Sequence, residues 1–204
     1  MEPLNQPELI FAIKNAALCA QAKIAFLEKE NRWVVGGDPT EAALLVLAQK
    51  IGFHKNILEQ ESQLIADFPF DYHLRYRASL RETSGKRFLI TIGAPENILS
   101  ISNKIWHNGG NCNFIKGEKE KLENIFEKMS EEGLRVVALG IDNSPVKNIT
   151  LEGIKEITFV GFLGMKDALR AEVPDAMKRA ISAGVRVVMI TGDHKITARA
   201  IAKD

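Results

Sequence analysis

The carboxyl-terminal part of the chain carries the pattern that most restricts its fold. Two apolar runs, at 157–163 and 185–190, are each typical of a buried strand, and a helical pattern over 171–183 separates them. The second run leads into a polar turn at 191–193 and then into a helical pattern at 195–202. Strands that alternate with helices predict parallel pairing in an α/β sheet. A carboxylate that follows such a strand lies at the edge where these sheets bind ligands.

The segments before residue 143 follow a different pattern. Residues 65–70, 72–82 and 88–92 read as extended, and the turn at 83–86 predicts an antiparallel hairpin. Helical spacing and short apolar runs predict further elements, namely helices at 7–28, 39–51, 93–100 and 119–132 and strands at 32–35 and 134–141. This change of pattern predicts one domain over 1–150 and a second, partial domain over 151–204.

Composition and charge narrow the class of protein. The formal net charge is +1, which gives no electrostatic case for binding nucleic acid. Neither Cys19 nor Cys112 lies in a C-x-x-C pair, so no zinc or redox site is indicated, and we expect a reduced protein. No apolar run reaches the roughly 18 residues of a membrane span, and no secretory signal opens the chain. We therefore expect this chain to be soluble.

Six short motifs occur in a fixed order along the chain. They are Gly37-Asp38-Pro39-Thr40-Glu41, Phe68-Pro69-Phe70-Asp71, Gly93-Ala94-Pro95-Glu96, Gly133-Leu134-Arg135-Val136-Val137, Gly164-Met165-x-Asp167 and Met189-Ile190-Thr191-Gly192-Asp193-His194. In this order the chain resembles the cytoplasmic ATP-binding region of the type II P-type cation-transporting ATPases, which include the calcium and the sodium/potassium pumps. The resemblance covers nearly the whole chain.

This resemblance implies an α/β fold in two parts. The first would be a nucleotide-binding domain, with a twisted antiparallel sheet flanked by helices. The second would be a fragment of the phosphorylation domain, which is Rossmann-like and of the haloacid dehalogenase type. The family's D-K-T-G-T and G-D-G-x-N-D motifs are absent. We therefore expect a piece of a longer pump that is inactive alone.

The resemblance also implies ligands and partners. ATP would bind this chain, with magnesium taking part in the intact pump. The remaining partners would be the transmembrane and actuator domains, and the chain would lie on the cytoplasmic face of a membrane. Two other functions stay open. One is a stand-alone, non-catalytic nucleotide-binding or regulatory module, and the other is a structural α/β interaction domain that keeps the motifs only as turns and caps.

Two residues match family positions that contact the base. Phe70 matches the aromatic residue that stacks on adenine, and the alternative is a core phenylalanine. Glu41 matches the carboxylate that reaches the adenine amino group. It also lies three residues after Asp38, so it fits a capping box equally well.

The remaining ATP-binding candidates surround these two. Arg75 follows Phe70 by five residues, where the family usually has lysine; Arg77 is its rival, and a solvated strand face is the alternative. Arg135 matches a phosphate- or ribose-binding position, against a surface ion pair with Glu131 or Glu132. Val137 matches an apolar position near the base, against an ordinary core valine.

Gly93 and Ala94 match the family's K-G-A-P-E motif, but this chain has Ile92 where the motif has lysine. Gly93 would allow a ligand to approach the backbone closely. Because the lysine would line the nucleotide pocket, its absence predicts weak ATP binding. Ile92 also fits the strand as a packing residue, since it alternates with other apolar residues.

The last motif supplies the phosphate-contacting candidates, Thr191, Gly192 and Asp193. In the family, such a hydroxyl and amide contact the phosphoryl group in transfer, and the carboxylate orients magnesium-bound groups. The alternative is a strand-to-helix turn in which Asp193 is an N-cap. Asp167 and Arg170 resemble the family's D-P-P-R segment without its prolines, and an ordinary ion pair that leads into a helix is the alternative.

Overall fold

The computed structural model describes residues 3–107, 109–145, 149–166, 170, 172–190, 198–199 and 201–202. Within these ranges the helices are α1 (Pro7–Cys19), α2 (Pro39–Lys50), α3 (Lys55–Glu61), α4 (Pro95–Ile101), α5 (Glu118–Glu131) and α6 (Val173–Ser182). The strands are β1 (Lys23–Leu27), β2 (Arg32–Gly36), β3 (Gln63–Asp71), β4 (Tyr76–Thr83), β5 (Lys86–Gly93), β6 (Ser102–His107), β7 (Gly110–Asn113), β8 (Arg135–Asp142) and β9 (Ile157–Met165).

A seven-stranded sheet forms the centre of the fold, in the order β3-β4-β5-β8-β9-β6-β7. Its neighbouring strands run antiparallel except β6 and β9, which are parallel. The predicted hairpin is present as β4 and β5, and its turn residues Ser84 and Gly85 both have positive φ. The expected antiparallel sheet with flanking helices is therefore confirmed. Strands β1 and β2 form a separate two-stranded sheet.

Helices cover both faces of the sheet. Side chains along each strand alternate between the two faces, and on each face they bury an apolar core against the helices. Ile90 and Ile92 of β5 face the core that α1, α2 and α3 cover. Leu89 of the same strand faces the core that includes Ile98 of α4. We call these the α1 face and the α4 face of the sheet. The fold has the three-layer form expected for a sheet that buries both sides.

Helix α1 is shorter than its sequence pattern predicts. The expected helix at 7–28 ends at Cys19, and Ile24 lies in β1 instead. The carbonyl oxygen of Leu18 accepts from Arg81, and that of Ala20 accepts from Lys55. These bonds come from β4 and α3, so tertiary contacts end the helix where local spacing would continue it.

The strand predicted at 157–163 is present as β9, but its partners differ from those expected. It lies between β8 and β6, within the same sheet as the strands before residue 150. The strand predicted at 185–190 is wrong, since these residues carry no strand and Ile190 is 93% exposed. Both edges of β9 are occupied, so β9 has no free hydrogen-bonding edge for this run. The Rossmann-like part is not shown by the described residues.

Strand β7 closes one edge of the sheet, where it pairs antiparallel with β6. Gly109 has a φ of +77° between these strands, a conformation that glycine adopts without strain.

We expect Gly93→Ala to destabilise the protein by about 2 kcal/mol, since overpacking a tight site costs roughly that amount. A Cβ at residue 93 would lie 2.3 Å from the Cβ of Tyr76 on the paired strand. Gly161→Ala is the matched control, because a Cβ there meets nothing within 4 Å. Urea unfolding of the variants measures the difference, and equal losses would contradict the packing argument.

Candidate functional site

One end of the sheet gathers most of the predicted site residues. Strands β3 and β5 finish there, whereas β4 and β8 begin there. The register aligns Asp71, Tyr76, Gly93 and Ala138 as successive neighbours across the four strands. The predicted residues Phe70, Arg75, Ala94, Arg135 and Val137 all lie within three residues of this row. We call this region the site end of the sheet.

Glu41 reaches the site end from the first turn of α2. Asp38 caps that helix as predicted, and its carboxylate accepts from the backbone amides of Thr40 and Glu41 at 2.8 and 3.2 Å. The Glu41 side chain does not complete a capping box. Its Oε2 accepts from the amides of Gln21 at 2.6 Å and Ala22 at 3.1 Å, which follow α1.

Arg77 joins Glu41 to the sheet through ion pairs. Its Nη1 donates to Glu41 Oε1, and its Nη2 donates to Asp67 Oδ1 at 2.7 Å. The Arg77 side chain is only 7% exposed, so a solvated strand face is wrong for this residue. Its Nε is buried without a hydrogen-bond partner. The guanidinium therefore uses only part of its donor set on two carboxylates.

Neighbouring negative charges keep Arg77 ionised although its side chain is buried. Burial by itself would lower the pKa of the guanidinium, and nearby groups including the hydrogen-bonded Glu41 outweigh it. The pKa of Arg77 is consequently raised above its ordinary value. The cluster of Arg77, Glu41 and Asp67 has one cation and two carboxylates, so its formal charge is −1.

Arg75 occupies a different environment from its rival. It precedes β4 with a φ of +58°, and its Nη1 donates to Glu96 Oε1 at 2.5 Å. Asp71 forms this turn by accepting from the amides of His73 and Leu74, both at 2.8 Å. The bond from Leu74 lowers the pKa of Asp71. Both ends of the Arg75–Glu96 pair are half-exposed, which leaves the arginine open to a ligand.

Phe70 presents an exposed aromatic ring at the site end. It is 46% exposed and lies edge-on to Tyr72, with ring centroids 5.5 Å apart. A phenylalanine this exposed is not a core residue, so the structural alternative for Phe70 is wrong. An exposed ring of this kind can stack on a planar ligand.

Ile92, Gly93 and Ala94 close β5 and lead into α4. Ile92 is 6% exposed and lies directly opposite Arg77 in the β4–β5 register. Gly93 faces Tyr76, which occupies the space that a side chain would need. The amide of Ala94 donates to the carbonyl of Arg75 at 2.9 Å. Packing between β4 and β5 thus accounts for the glycine without any ligand.

Arg135 and Val137 lie two residues apart at the start of β8. Arg135 is exposed, and no ion pair with Glu131 or Glu132 is present in the part of the chain that the structure describes. Val137 is half-buried and packs against the core of the α1 face. Arg135 is therefore available to a ligand, whereas Val137 serves at least as a packing residue.

The predicted phosphate-contacting residues Thr191, Gly192 and Asp193 lie outside the described residues. The same is true of Asp167. Arg170 is described and is exposed. In the part of the chain that is described, no group of three or more His, Cys, Asp or Glu side chains is arranged to hold a metal ion.

Sequence reasoning missed the role of Asp67 and the burial of Arg77. A signal was present, because Arg77, Ser79 and Arg81 alternate with Tyr76, Ala78 and Leu80 along β4. Such alternation assigns each set to one face of a strand. It does not reveal that the polar set is buried, since that depends on α1 and α2 covering it.

Comparison with known proteins identifies the family. Residues 8–172 match the family model for the P-type ATPase, cytoplasmic domain N. The chain belongs to the P-type ATPase family. It is 36% identical over 208 residues to the calcium-transporting ATPase of Bacillus subtilis (strain 168), and the alignment covers 100% of this chain and 22% of that protein.

Other P-type ATPases are similarly related to the chain. It is 34% identical to calcium-transporting ATPase 1 of Lactococcus lactis subsp. lactis (strain IL1403), over 82% of this chain and 19% of that protein. It is 32% identical to the sodium/potassium-transporting ATPase subunit alpha-B of Artemia franciscana, over 94% of this chain and 21% of that protein. The chain thus spans about a fifth of these relatives. None of its described helices is long and apolar enough to cross a membrane.

We expect Cys19 to make the protein less stable at alkaline pH. Burial raises the pKa of this thiol from 9.0 to about 12. The unfolded chain therefore loses the proton at lower pH than the folded chain, and stability falls as pH rises above about 9. Urea unfolding from about pH 8 to about pH 10.5 should show a steeper loss for the native chain than for Cys19→Ala, by up to about 1.4 kcal/mol per pH unit. Parallel profiles would contradict this assignment.

Proposed function

We propose that this chain is the ATP-binding part of a cation-transporting P-type pump. The observation that carries the proposal is the group of Glu41, Phe70, Arg75 and Arg135 at one end of a sheet whose sequence matches domain N. The group combines an exposed aromatic ring, a carboxylate and two accessible guanidinium groups. These suit a planar base, its amino group and a phosphate chain respectively.

Each residue takes a distinct role in this proposal. Phe70 stacks on the adenine ring, and Glu41 accepts a hydrogen bond from the adenine amino group. Arg75 and Arg135 bind the phosphates or the ribose. Arg75 meets the ligand by leaving Glu96, at little cost because an exposed ion pair contributes roughly 0–1 kcal/mol.

In the intact pump this site would hold ATP while its γ-phosphate is transferred to an aspartate that this chain does not contain. Magnesium bound with the nucleotide would neutralise phosphate charge during transfer. Thr191 and Gly192 would contact the transferred group, and Asp193 would orient magnesium-bound groups nearby. Positioning the reacting groups is the main contribution that a protein makes to phosphoryl transfer. Hydrolysis of the aspartyl-phosphate would drive cation transport through the membrane domain.

The sheet supports a later boundary between the two proposed domains than residue 150. A division at residue 150 would separate β9 from the sheet in which it has two partners. The match to domain N also continues to residue 172. We therefore propose that the nucleotide-binding domain extends through β9 and that the phosphorylation-domain fragment begins near α6.

A second candidate is a non-catalytic nucleotide-binding or regulatory module. It is favoured by the replacement of the pocket lysine by Ile92 and by the ion pair that holds Glu41. Both features weaken binding of ATP. Magnesium-dependent release of phosphate by the pure chain is expected to be absent under either candidate, so the flanking coding sequence separates them: a D-K-T-G-T motif and apolar spans in the same gene favour the pump.

We expect ATP to produce saturable amide NMR shifts around Glu41, Phe70 and Arg135. Phe70→Ala should weaken binding about tenfold or more, because stacking a base on an aromatic ring contributes roughly 1–3 kcal/mol. Phe26→Ala is the matched control, since Phe26 is exposed to a similar extent, at 44%, and likewise contacts a neighbouring ring, that of Trp33. The proposal fails if ATP causes no shifts up to several millimolar, or if both variants weaken binding equally.

We expect Ile92→Lys to tighten ATP binding. The new ammonium would face a cluster with two carboxylates and one guanidinium, so it would balance the charge there and occupy the position of the lysine that lines the family's nucleotide pocket. Ile92→Met is the control for size, because it keeps the volume without the charge. Isothermal titration of the folded variants measures the change, and equal affinities for the two would contradict the role given to the lysine position.

A further inference from the structure

The carboxylate of Glu41 has both of its oxygen atoms engaged within the protein. Oε2 accepts from the backbone amides of Gln21 and Ala22, and Oε1 accepts from Arg77. The Glu41 side chain is 17% exposed, so solvent reaches little of it. Because Oε2 already accepts two hydrogen bonds, a ligand that donates to this carboxylate must share Oε1 with Arg77.

Arg77 is the partner that can be exchanged. The amides of Gln21 and Ala22 are fixed where the chain leaves α1, whereas Arg77 has a flexible side chain shared between two carboxylates. Its Nη2 bond to Asp67 can hold the guanidinium when the Nη1 bond is lost. The unpartnered Nε already makes the present arrangement incomplete, since a buried donor without a partner costs free energy.

We propose that Arg77 competes with the nucleotide base for Glu41 and thereby limits both the affinity and the base selectivity of the site. The inference rests on the proposed function, in which the adenine amino group donates to Glu41. While Arg77 donates to Oε1 and neutralises its charge, that hydrogen bond is weaker than one to a free carboxylate, and it strengthens when the guanidinium shifts toward Asp67. Glu41 thus contributes less to recognition of adenine than a free carboxylate in the same position.

Substitutions of Arg77 and of Asp67 should have opposite effects on ATP binding. Arg77→Met removes the competitor with a side chain of similar length, and leaves Glu41 on its two backbone amides. We expect this variant to bind ATP about tenfold more tightly, the scale of one hydrogen bond to a charged group. Asp67→Asn removes the charge that draws Arg77 away from Glu41, so it should weaken ATP binding severalfold.

Base selectivity provides a readout that a merely structural role would not change. Inosine triphosphate carries a carbonyl oxygen where ATP carries the amino group, so it cannot donate from that position to Glu41. The native chain should discriminate poorly between the two nucleotides. The preference for ATP should rise in Arg77→Met, because the freed carboxylate repels the carbonyl oxygen and accepts from the amino group.

The experiment is a calorimetric titration of the full chain and its variants with ATP and with inosine triphosphate. Arg87→Met is the matched control, because Arg87 also pairs with a carboxylate on the β4–β5 hairpin but lies at its turn end. Thermal melting and amide NMR spectra establish that each variant is folded. If Arg77→Met does not fold, the double variant Arg77→Met and Asp67→Asn replaces it, compared with Asp67→Asn alone.

The outcomes separate this inference from the proposed function. Tighter ATP binding and a higher ATP preference in Arg77→Met, with weaker binding in Asp67→Asn, support the competition. The inference is overturned if the native chain binds ATP but both substitutions weaken binding, or if selectivity stays constant, and the proposed function then survives. If no folded form binds ATP at several millimolar, the proposed function and the inference both fail.

Discussion

The end of α1 is the point on which the rest of the structure depends. Arg81, which is fully buried in β4, donates to the carbonyl of Leu18, and Lys55 donates to that of Ala20. Both cations lie where the helix dipole leaves partial negative charge. Glu41 then binds the next two amides. One short segment therefore connects α1 to α2, to α3 and to the sheet, and because its backbone groups are satisfied there, the chain can turn into β1.

The same contacts link the stability of the fold to the chemistry of the candidate site. Glu41 holds the turn after α1 with one oxygen and Arg77 with the other, so the carboxylate that recognises a base in our proposal is also a structural residue. A buried ion pair gains little free energy relative to apolar packing, but removing one partner leaves an uncompensated charge. The site end thus combines a rigid, charged interior with the exposed groups of Phe70, Arg75 and Arg135.

Local signals predicted much of the fold. The Asp38 cap, the β4–β5 turn and the helix at α5 depend on neighbouring residues, and the structure has all three. The errors occur where distant residues decide. Helix α1 stops because β4 and α3 bind its carbonyl groups, and 185–190 does not pair with β9 because β8 and β6 occupy both edges of that strand. Periodicity contains no information about either event, since a helix end or a strand edge depends on which partners are available.

The sequence by itself identified the family and predicted Glu41, Phe70, Arg75 and Arg135 as binding residues, because motifs of turn and cap residues in a fixed order require only chain-local chemistry. It also determined that a lysine is missing at residue 92. Only the tertiary structure decided that Arg77 lies opposite that residue, is buried, and shares Glu41 with the backbone after α1. The physical reason is that burial and ion pairing arise from the packing of α1 and α2 on β4, and these segments are far apart in the chain.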